Sequence, residues 1–271
     1  MAFSIVGCKL IDPAEEIPSY ISINAVSFTG PAQASSSHSI TDAWIYVDGK
    51  LLGAYEIPCK VPVLSEGTHT LLVLAGIKQN GMSTLRAIYP YYRGWETTAE
   101  LVRGQITELT PSFSYFPATT FHWNATFSGT SSNFNSTGYA PFPAVYSEVS
   151  GPEALEGYSA RIQLTDTENA YYGTSADSFL IDGSHEVYLE MDYRCDQEFI
   201  VGLRDCSPNQ GGNAEWVYVQ AHTSWNKMYI RLNDLLAGLP ADHYYSVSFK
   251  MTLPASASSG VLWLDNLKLI Y

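Results

Sequence analysis

Short stretches of alternating apolar and polar residues run through most of the chain, with turn-forming residues between them. In the stretch WIYVDG, which starts at Trp44, Ile45 and Val47 would point to one face of a strand, and Asp48–Gly49 marks a tight turn. A period of two is typical of β-strands that bury one face. Helical spacing is confined to residues 233–239 and 151–158. The pattern therefore predicts an almost all-β protein.

The predicted strands fall into two groups, which the segment FPATTF at 116–121 separates. Residues 9–19 carry prolines and acidic residues without a strand period, so we predict a tether there. The chain is thus expected to consist of an N-terminal segment over 1–19 and two β-sandwich domains over 20–116 and 119–271.

A recognisable order of turn residues occurs in the first domain. A strand is followed by V-D-G, a later glycine, a proline-containing connection and G-x-H before the final strand. In this order the domain resembles the PEGA-type β-sandwich module. The matching residues are Val47, Asp48, Gly49, Gly53, Pro58, Gly67 and His69. The resemblance implies an Ig/PEGA-like surface module that acts as a spacer and carries no chemistry.

Two strand motifs stand out in the second domain. The last strand reads VLWLDNLKL from Val261, and an earlier strand reads WNKMYIRL from Trp225. Together with the short strands before them, these stretches resemble a jelly roll of the carbohydrate-binding-module kind. The resemblance implies a fold and leaves the ligand open.

Three strands of the second domain carry aromatic and hydrogen-bonding residues opposite their apolar residues. In EWVYVQAH, Val217 and Val219 suit a core, whereas Trp216 and Tyr218 would point to the opposite face. The strands EVYLEMDYR and KMYIRL also divide into an inward apolar row and an outward row of aromatic and polar residues. Aromatic faces combined with hydrogen-bonding groups suit sugar recognition. If the strands are neighbours, one ligand-binding platform would comprise Tyr188, Glu190, Asp192, Trp216, Tyr218, Gln220, Tyr229 and Arg231. The alternative is that the loop 122–150 or a partner covers this face.

The sequence offers little for catalysis. It contains no GxSxG, HExxH, P-loop or GxGxxG motif. Glu190 and Asp192 would stand roughly 7 Å apart on one strand, a permissible glycosidase spacing, but they lie side by side on one surface. We therefore predict a protein without enzymatic activity and without a cofactor. Asp265 and Asn266 could contribute to a structural Ca²⁺ site, which needs several more oxygen ligands, and a hydrogen-bonding role is the alternative.

The formal net charge is −13, and it is unevenly distributed. Residues 1–118 carry 7 basic and 10 acidic side chains (−3), whereas residues 119–271 carry 7 and 17 (−10). So acidic a chain lacks the basic footprint that nucleic acid requires, which argues against that partner. The acidic C-terminal half would repel anionic polymers, and it also aids solubility.

The four cysteines form no CxxC pair. A hairpin that turns near 196–197 would hold Cys195 and Cys206 about 20 Å apart, which excludes a disulfide between them. Cys8 could be a buried thiol, half of a disulfide or a lipid attachment point. The stretch IVGC that ends at Cys8 resembles the lipobox of bacterial lipoproteins, in which the cysteine is diacylated. The apolar run before it is shorter than in a signal peptide, which indicates a truncated signal.

The predicted domain order is similar to that of Gram-negative surface lipoproteins. We therefore expect a non-catalytic lipoprotein, anchored to the outer membrane through Cys8 and facing the cell surface. Its jelly roll would bind a polysaccharide or another surface ligand. The alternative is a structural accessory subunit of an outer-membrane transport or adhesion complex.

Overall fold

The computed structural model describes residues 16–31, 35–127, 134–135, 141–209 and 211–271. Nearly all regular structure within these residues is β-sheet, so the predicted all-β fold is confirmed. None of the described helices is long and apolar enough to cross a membrane. We name residues 16–116 the N-terminal body and residues 117–271 the C-terminal sandwich, because no described sheet contains strands from both. In the described part of the chain, a single isolated parallel bridge, between Gln79 and Tyr229, connects them.

The N-terminal body is built from short strands around a buried apolar cluster. Its strands are β1 (Ser19–Ile23), β2 (Ser27–Thr29), β3 (Asp42–Val47), β4 (Lys50–Glu56), β5 (Cys59–Val63), β6 (Gly67–Lys78), β7 (Arg86–Ile88), β8 (Tyr92–Arg93), β9 (Trp95–Leu101), β10 (Ile106–Leu109) and β11 (Ser112–Tyr115). They form three sheets in the orders β10–β1–β5, β2–β11–β8 and β4–β3–β6–β7, and β9 also pairs with β6.

The turn between β3 and β4 has the geometry that its sequence predicts. Asp48 and Gly49 have φ angles of 49° and 78°. Left-handed backbone at both central positions is typical of the tight hairpin turns whose twist matches that of the strands. Asp48 also accepts a hydrogen bond from the amide of Thr70 at 3.0 Å, which joins the turn to β6.

Replacing Gly49 with alanine is expected to destabilise the protein by about 1 kcal/mol. The added Cβ meets no atom within 4 Å, so the cost comes from the φ of 78° alone. Urea denaturation of both proteins measures the difference. Gly212→Ala is the matched control, since Gly212 also lies in open space but without a left-handed backbone. Equal effects of the two changes would contradict this explanation.

The C-terminal sandwich consists of two sheets that face each other. Its strands are β12 (Phe121–Ala125), β13 (Phe134–Asn135), β14 (Tyr146–Ser150), β15 (Tyr158–Thr165), β16 (Ala170–Ser175), β17 (Phe179–Leu180), β18 (Tyr188–Cys195), β19 (Phe199–Asp205), β20 (Asn213–Val219), β21 (His222–Arg231), β22 (Tyr244–Thr252) and β23 (Ser259–Ile270). The first sheet has the order β14–β15–β23–β18–β21, with β12 also on β23. The second sheet has the order β13–β16–β22–β19–β20, with β17 also on β22.

Within the described residues of the sandwich, helical structure is limited to the two stretches that the sequence indicated. α1 covers Asn233–Leu236, and a single 3₁₀ turn covers Gly151–Glu153. The predicted apolar rows of β18 and β21, which include Leu189 and Ile230, face the core between the sheets. Phe249 of β22 also lies in this core. The opposite faces of the strands are therefore free to contact solvent, ligands or the N-terminal body.

β18 and β19 do not form a hairpin, contrary to the prediction from sequence. The chain leaves the first sheet after Cys195 and enters the second at Phe199, because the apolar residues of both strands face one shared core. Cys195 is buried in that core, whereas Cys206 is exposed beyond β19, and both thiols are free. The predicted absence of a Cys195–Cys206 disulfide is thus confirmed, for a different geometric reason.

Candidate ligand-binding surfaces

The eight predicted binding residues belong to both sheets of the C-terminal sandwich. β18 and β21 are neighbours in the first sheet, where Glu190 stands directly opposite Tyr229. β20, which carries Trp216 and Tyr218, lies at the edge of the second sheet. The prediction of one continuous platform is therefore wrong, because the outer faces of two packed sheets point to opposite sides of a sandwich.

The N-terminal body covers part of the outer face of the first sheet. Tyr188, Glu190, Asp192 and Tyr229 are all buried, although they lie opposite the sandwich core as predicted. The sequence left open whether this face is covered. It is covered, and residues of the chain's own N-terminal body contribute the cover.

Glu190 is the centre of the contact between the two bodies. Its Oε1 accepts hydrogen bonds from the hydroxyl groups of Tyr89 at 2.7 Å and Tyr115 at 2.8 Å, both from the N-terminal body. On the neighbouring strands of the sandwich, Lys227 and Lys268 place Nζ at 3.0 Å and 3.7 Å from Oε2. Both carboxylate oxygens therefore have partners in a site that is closed to solvent.

The charges of this buried cluster stabilise one another. Burial alone would raise the pKa of Glu190, but Lys227 and Lys268 outweigh burial and lower it. Burial alone would lower the pKa of Lys227, yet Glu190 and Asp192 raise it. Burial and the neighbouring Lys227 lower the pKa of Lys268 to about 8. The formal charges of two carboxylates and two ammonium groups balance, so removing one member leaves a buried net charge.

Tyrosine rings complete the contact between the bodies. The centroid of Tyr89 lies 4.8 Å from that of Tyr229 and 5.1 Å from that of Tyr188. The hydroxyl groups of Tyr92 and Tyr229 are 2.9 Å apart. Tyr188 and Tyr229 belong to the same buried cluster as the core of the N-terminal body. At these positions the predicted binding face is an internal interface.

Asp192 lies at the border of this interface. Its Oδ1 accepts a hydrogen bond from the Ser37 hydroxyl group at 2.7 Å, which ties a loop of the N-terminal body to the sheet. Its Oδ2 accepts one from the Asn266 side chain at 3.0 Å. The same Asn266 amide donates to Glu156 at 2.8 Å. Asp192 therefore links three segments and is not free to bind a ligand.

Asp265 and Asn266, the residues considered for Ca²⁺, form hydrogen bonds at an irregular point of β23. Asp265 accepts hydrogen bonds from the Ser159 hydroxyl group at 2.7 Å and from the backbone amide of Asn266 at 2.7 Å. Burial raises the pKa of Asp265 to about 7, because it outweighs these two hydrogen bonds, which by themselves lower the pKa. In the described ranges, no group of three or more histidine, cysteine, aspartate or glutamate side chains could hold a metal ion. The Ca²⁺ site stays a prediction.

Arg231 and Trp216 support the rim of the sandwich. Arg231 forms ion pairs with Glu186 at 2.7 Å and Asp234 at 3.1 Å, and its amide donates to Asn80 of the N-terminal body. Trp216 lies at a β-bulge of β20, which separates it from the outward row of that strand. Its ring packs on the sandwich core, and its Nε1 donates to the carbonyl oxygen of Arg231.

Tyr218 and Gln220 remain on the outside of the second sheet. Tyr218 is 54% exposed, and its hydroxyl group donates to Glu215 at 2.8 Å. The other carboxylate oxygen of Glu215 accepts from Lys250 Nζ at 2.7 Å. The Gln220 amide donates to Glu198. An exposed aromatic ring is thus held beside charged and amide groups.

A shallow depression of about 220 Å³ adjoins this ring. Tyr218, Ile200 and Lys250 stand opposite one another on β20, β19 and β22, so they share one face. The depression is lined by Gln197, Glu198, Ile200, Lys250, Thr252 and Pro254. We use the name Tyr218 surface for the residues that line this depression together with Glu215, Tyr218 and Gln220. Alternation in EFIVGLR and YYSVSFKMTL places Ile200 and Lys250 outward, but only the pairing of strands shows that they meet Tyr218.

The uncovered part of the first sheet carries arginine and tryptophan side chains. Arg161, Trp263 and Arg194 stand opposite one another on β15, β23 and β18. The Arg194 guanidinium carbon lies 4.0 Å from the ring centroid of Trp263 and 5.5 Å from that of Trp225. We name Trp225, Arg194 and Trp263 the Arg194 clamp. The sequence did not identify them as a site, because their strands come from distant parts of the chain.

Cys8, the predicted lipidation site, lies outside the described residues. The first described residues, from Glu16, lead directly into β1 at Ser19. Lipidation of Cys8 therefore stays a prediction.

Comparison with known proteins yields solved structures only, since no protein-family model and no curated protein matches the chain. One is the family 11 carbohydrate-binding module of the Clostridium thermocellum cellulase Lic26A-Cel5E, at 19% identity and a TM-score of 0.41, covering 56% of this chain and 94% of that one. Another is the family 30 carbohydrate-binding module of the cellulase Cel9D-Cel44B from the same organism, at 15% identity and a TM-score of 0.37. The match covers 56% of this chain and 92% of that one. A further structure, of a carbohydrate-binding module of the β-sandwich superfamily, matches at 12% identity and a TM-score of 0.39. This match covers 84% of this chain and 86% of that one. All three are carbohydrate-binding modules with a β-sandwich fold.

Proposed function

We propose that this protein is a non-catalytic glycan-binding protein whose Tyr218 surface contacts the glycan. The observation that carries the proposal is the exposed Tyr218 ring, which its hydroxyl group fixes to Glu215. A tyrosine face packs against the C–H groups of a sugar ring, while carboxylate, ammonium and amide groups bind its hydroxyl groups. The hydrogen bonds from Tyr218 and Lys250 to Glu215 order the ring in advance, so less entropy is lost on binding.

The depression beside Tyr218 supports a polymeric ligand. Ile200 offers an apolar side chain there, and Glu198, Lys250 and Thr252 offer polar groups around it. An open, shallow surface lets a sugar chain continue beyond the contact in both directions. It also buries only part of the ligand, so we expect affinities in the micromolar to millimolar range.

Tyr218→Ala is expected to weaken binding to a responding polysaccharide by about tenfold or more, because the change removes the stacking ring. Affinity electrophoresis against a broad polysaccharide panel finds a ligand, and calorimetry measures the difference. Tyr158→Ala is the matched control, since Tyr158 is 47% exposed on the first sheet. If no polysaccharide retains the wild-type protein, the proposed function is wrong. Unchanged retention of Tyr218→Ala would exclude the Tyr218 surface.

The proposal includes the cellular setting that the sequence indicates. The protein would be a lipoprotein of the outer membrane that faces the cell surface, with a PEGA-like N-terminal body close to the anchor. The lipobox-like stretch that ends at Cys8 supports this setting. Metabolic labelling with a radioactive fatty acid tests it, because a lipoprotein incorporates the label and Cys8→Ser does not.

A structural accessory subunit of an outer-membrane complex is the second candidate function. Two apolar side chains at one end of the N-terminal body favour it, because Leu64 is 70% exposed and the nearby Ile17 is 64% exposed. Exposed apolar side chains that lie together are typical of partner contacts. Purification from native membranes discriminates the two functions: a stoichiometric partner supports the subunit, and an isolated monomer counts against it.

A further inference from the structure

Aromatic rings, rather than carboxylates, hold the guanidinium group of Arg194. Trp263 and Trp225 lie 4.0 Å and 5.5 Å from it. Its hydrogen bond within the described residues runs from Nη2 to the carbonyl oxygen of Glu153 at 3.2 Å, and it forms no ion pair there. Cation–π contacts compensate part of its charge, because the ring faces are negative. Among the described residues, no carboxylate neutralises this charge and Nη1 has no hydrogen-bond acceptor.

Several other half-buried or buried basic side chains among the described residues have a carboxylate partner. Arg231 lies 2.7 Å from Glu186, and Lys250 lies 2.7 Å from Glu215. Acidic side chains outnumber basic ones by 27 to 14, so the chain has ample carboxylates for pairing. Arg194 differs from these side chains because it has no carboxylate partner among the described residues, and this suits an acceptor that comes from outside.

The outer row that contains Arg194 has more donors than acceptors. The Nε of Arg194 and the Nε1 of Trp263 are buried and have no hydrogen-bond partner in the described part of the chain. The Nε of Arg161 has no hydrogen bond there either, but it lies 3.4 Å from Oε2 of Glu153 and forms an ion pair with it. Arg161 uses another nitrogen to donate to Gln163 at 2.7 Å. Unpaired buried donors destabilise a protein, and a negative charge bound beside them reduces that cost.

The carboxylates that flank the clamp are already engaged. Glu153 lies 3.4 Å from Arg161, and Asp192 lies 3.9 Å from Lys227. The acidic sandwich still repels anions at long range. At physiological ionic strength, however, this repulsion is screened beyond about 8 Å, so direct contact with Arg194 dominates once an anion has arrived.

We infer that the Arg194 clamp is a second binding site, and that it takes an anionic oxygen group, namely a carboxylate or a sulfate ester. The planar guanidinium, fixed between two indole rings, would donate to the oxygens of the ligand in one defined orientation. Acidic polysaccharides present such groups. The site lies on the first sheet and does not depend on the Tyr218 surface of the second.

Tryptophan fluorescence tests this inference, since Trp225 and Trp263 flank the site. Wild-type protein is titrated with sodium glucuronate and with sodium sulfate at constant ionic strength, with sodium chloride as the blank. We expect a saturable change that Arg194→Gln weakens by about tenfold or more. Arg194→Lys should lie between the two, because lysine keeps the charge and loses the planar fork. Arg93→Gln, which removes an exposed arginine of the N-terminal body, should leave the titration unchanged.

The outcomes separate this site from the proposed function. A response to glucuronate alone identifies a carboxylate site, and a response to sulfate alone identifies a sulfate site. No response to either anion, or an equal response in Arg194→Gln, overturns the inference while the Tyr218 result stands. If circular dichroism shows that Arg194→Gln does not fold, the carboxylate site is tested with wild-type protein alone. Its retention on polygalacturonate is then compared with its retention on the carboxyl-reduced polymer. The sulfate site is tested in the same way by comparing retention on dextran sulfate with retention on dextran. Equal retention within both pairs of polymers overturns the inference.

Discussion

Glu190→Ala is expected to lower the free energy of unfolding by about 3–5 kcal/mol. The change leaves Lys227 and Lys268 with more positive charge than negative in a site closed to solvent. It also removes the acceptor for the hydroxyl groups of Tyr89 and Tyr115. Urea denaturation at pH 7, followed by circular dichroism, measures the loss.

Two further variants show whether the buried charge is the cause. Glu186→Ala breaks the exposed ion pair with Arg231 and should cost less than about 1 kcal/mol. Glu190→Gln keeps the volume of the side chain and removes its charge, so it should still destabilise the protein strongly. A loss in Glu190→Ala no larger than that in Glu186→Ala would show that this cluster does not hold the bodies together.

The carboxyl group of Asp265 is expected to lower the stability of the wild-type protein as the pH rises from about 4 to 7, and Asp265→Asn should abolish this contribution. Burial raises the pKa of Asp265 from its ordinary 3.8 to about 7. Between these values the folded protein binds more protons than the unfolded chain, so stability falls with rising pH. The difference corresponds to about 4 kcal/mol at most, and it stays constant above pH 7. Asparagine cannot ionise, so the variant avoids this cost.

The test compares unfolding free energies at pH 5 and pH 8. Asparagine can keep both local contacts, because its oxygen accepts from the backbone amide of Asn266 and its nitrogen can donate to the Ser159 hydroxyl oxygen. Asp166→Asn, at an exposed position, is the control for losing one negative charge. Parallel pH profiles for the wild type and Asp265→Asn would show that this carboxyl group does not titrate near neutral pH.

The contact between the two bodies changes the picture of how this protein presents ligand surfaces. A spacer would leave both outer faces of the sandwich open. Here the N-terminal body takes one part of the first sheet through Glu190 and the surrounding tyrosines. The two remaining candidate surfaces, around Tyr218 and Arg194, lie on different sheets. They can therefore be tested by separate variants.

Local sequence pattern predicted the strands well, because a period of two follows directly from the geometry of one strand. It identified the inward row of β18, the Asp48–Gly49 turn and the short helix at Asn233–Leu236. It failed at the connection after Cys195, because a strand that ends in one sheet can continue in either sheet of a sandwich. The choice depends on packing between distant segments, which periodicity does not report.

The same limit applies to the candidate sites. The sequence by itself determined that Tyr188, Glu190 and Tyr218 point away from the core, but it placed Trp216 outward as well, where a β-bulge turns the ring towards the core. Only the tertiary structure decided that Tyr188 and Glu190 meet the N-terminal body while Tyr218 meets solvent. It also brought Arg194 between two tryptophans that lie far apart in the chain. The reason is physical: alternation sets the direction of a side chain, whereas strand pairing and the docking of the two bodies set what it touches.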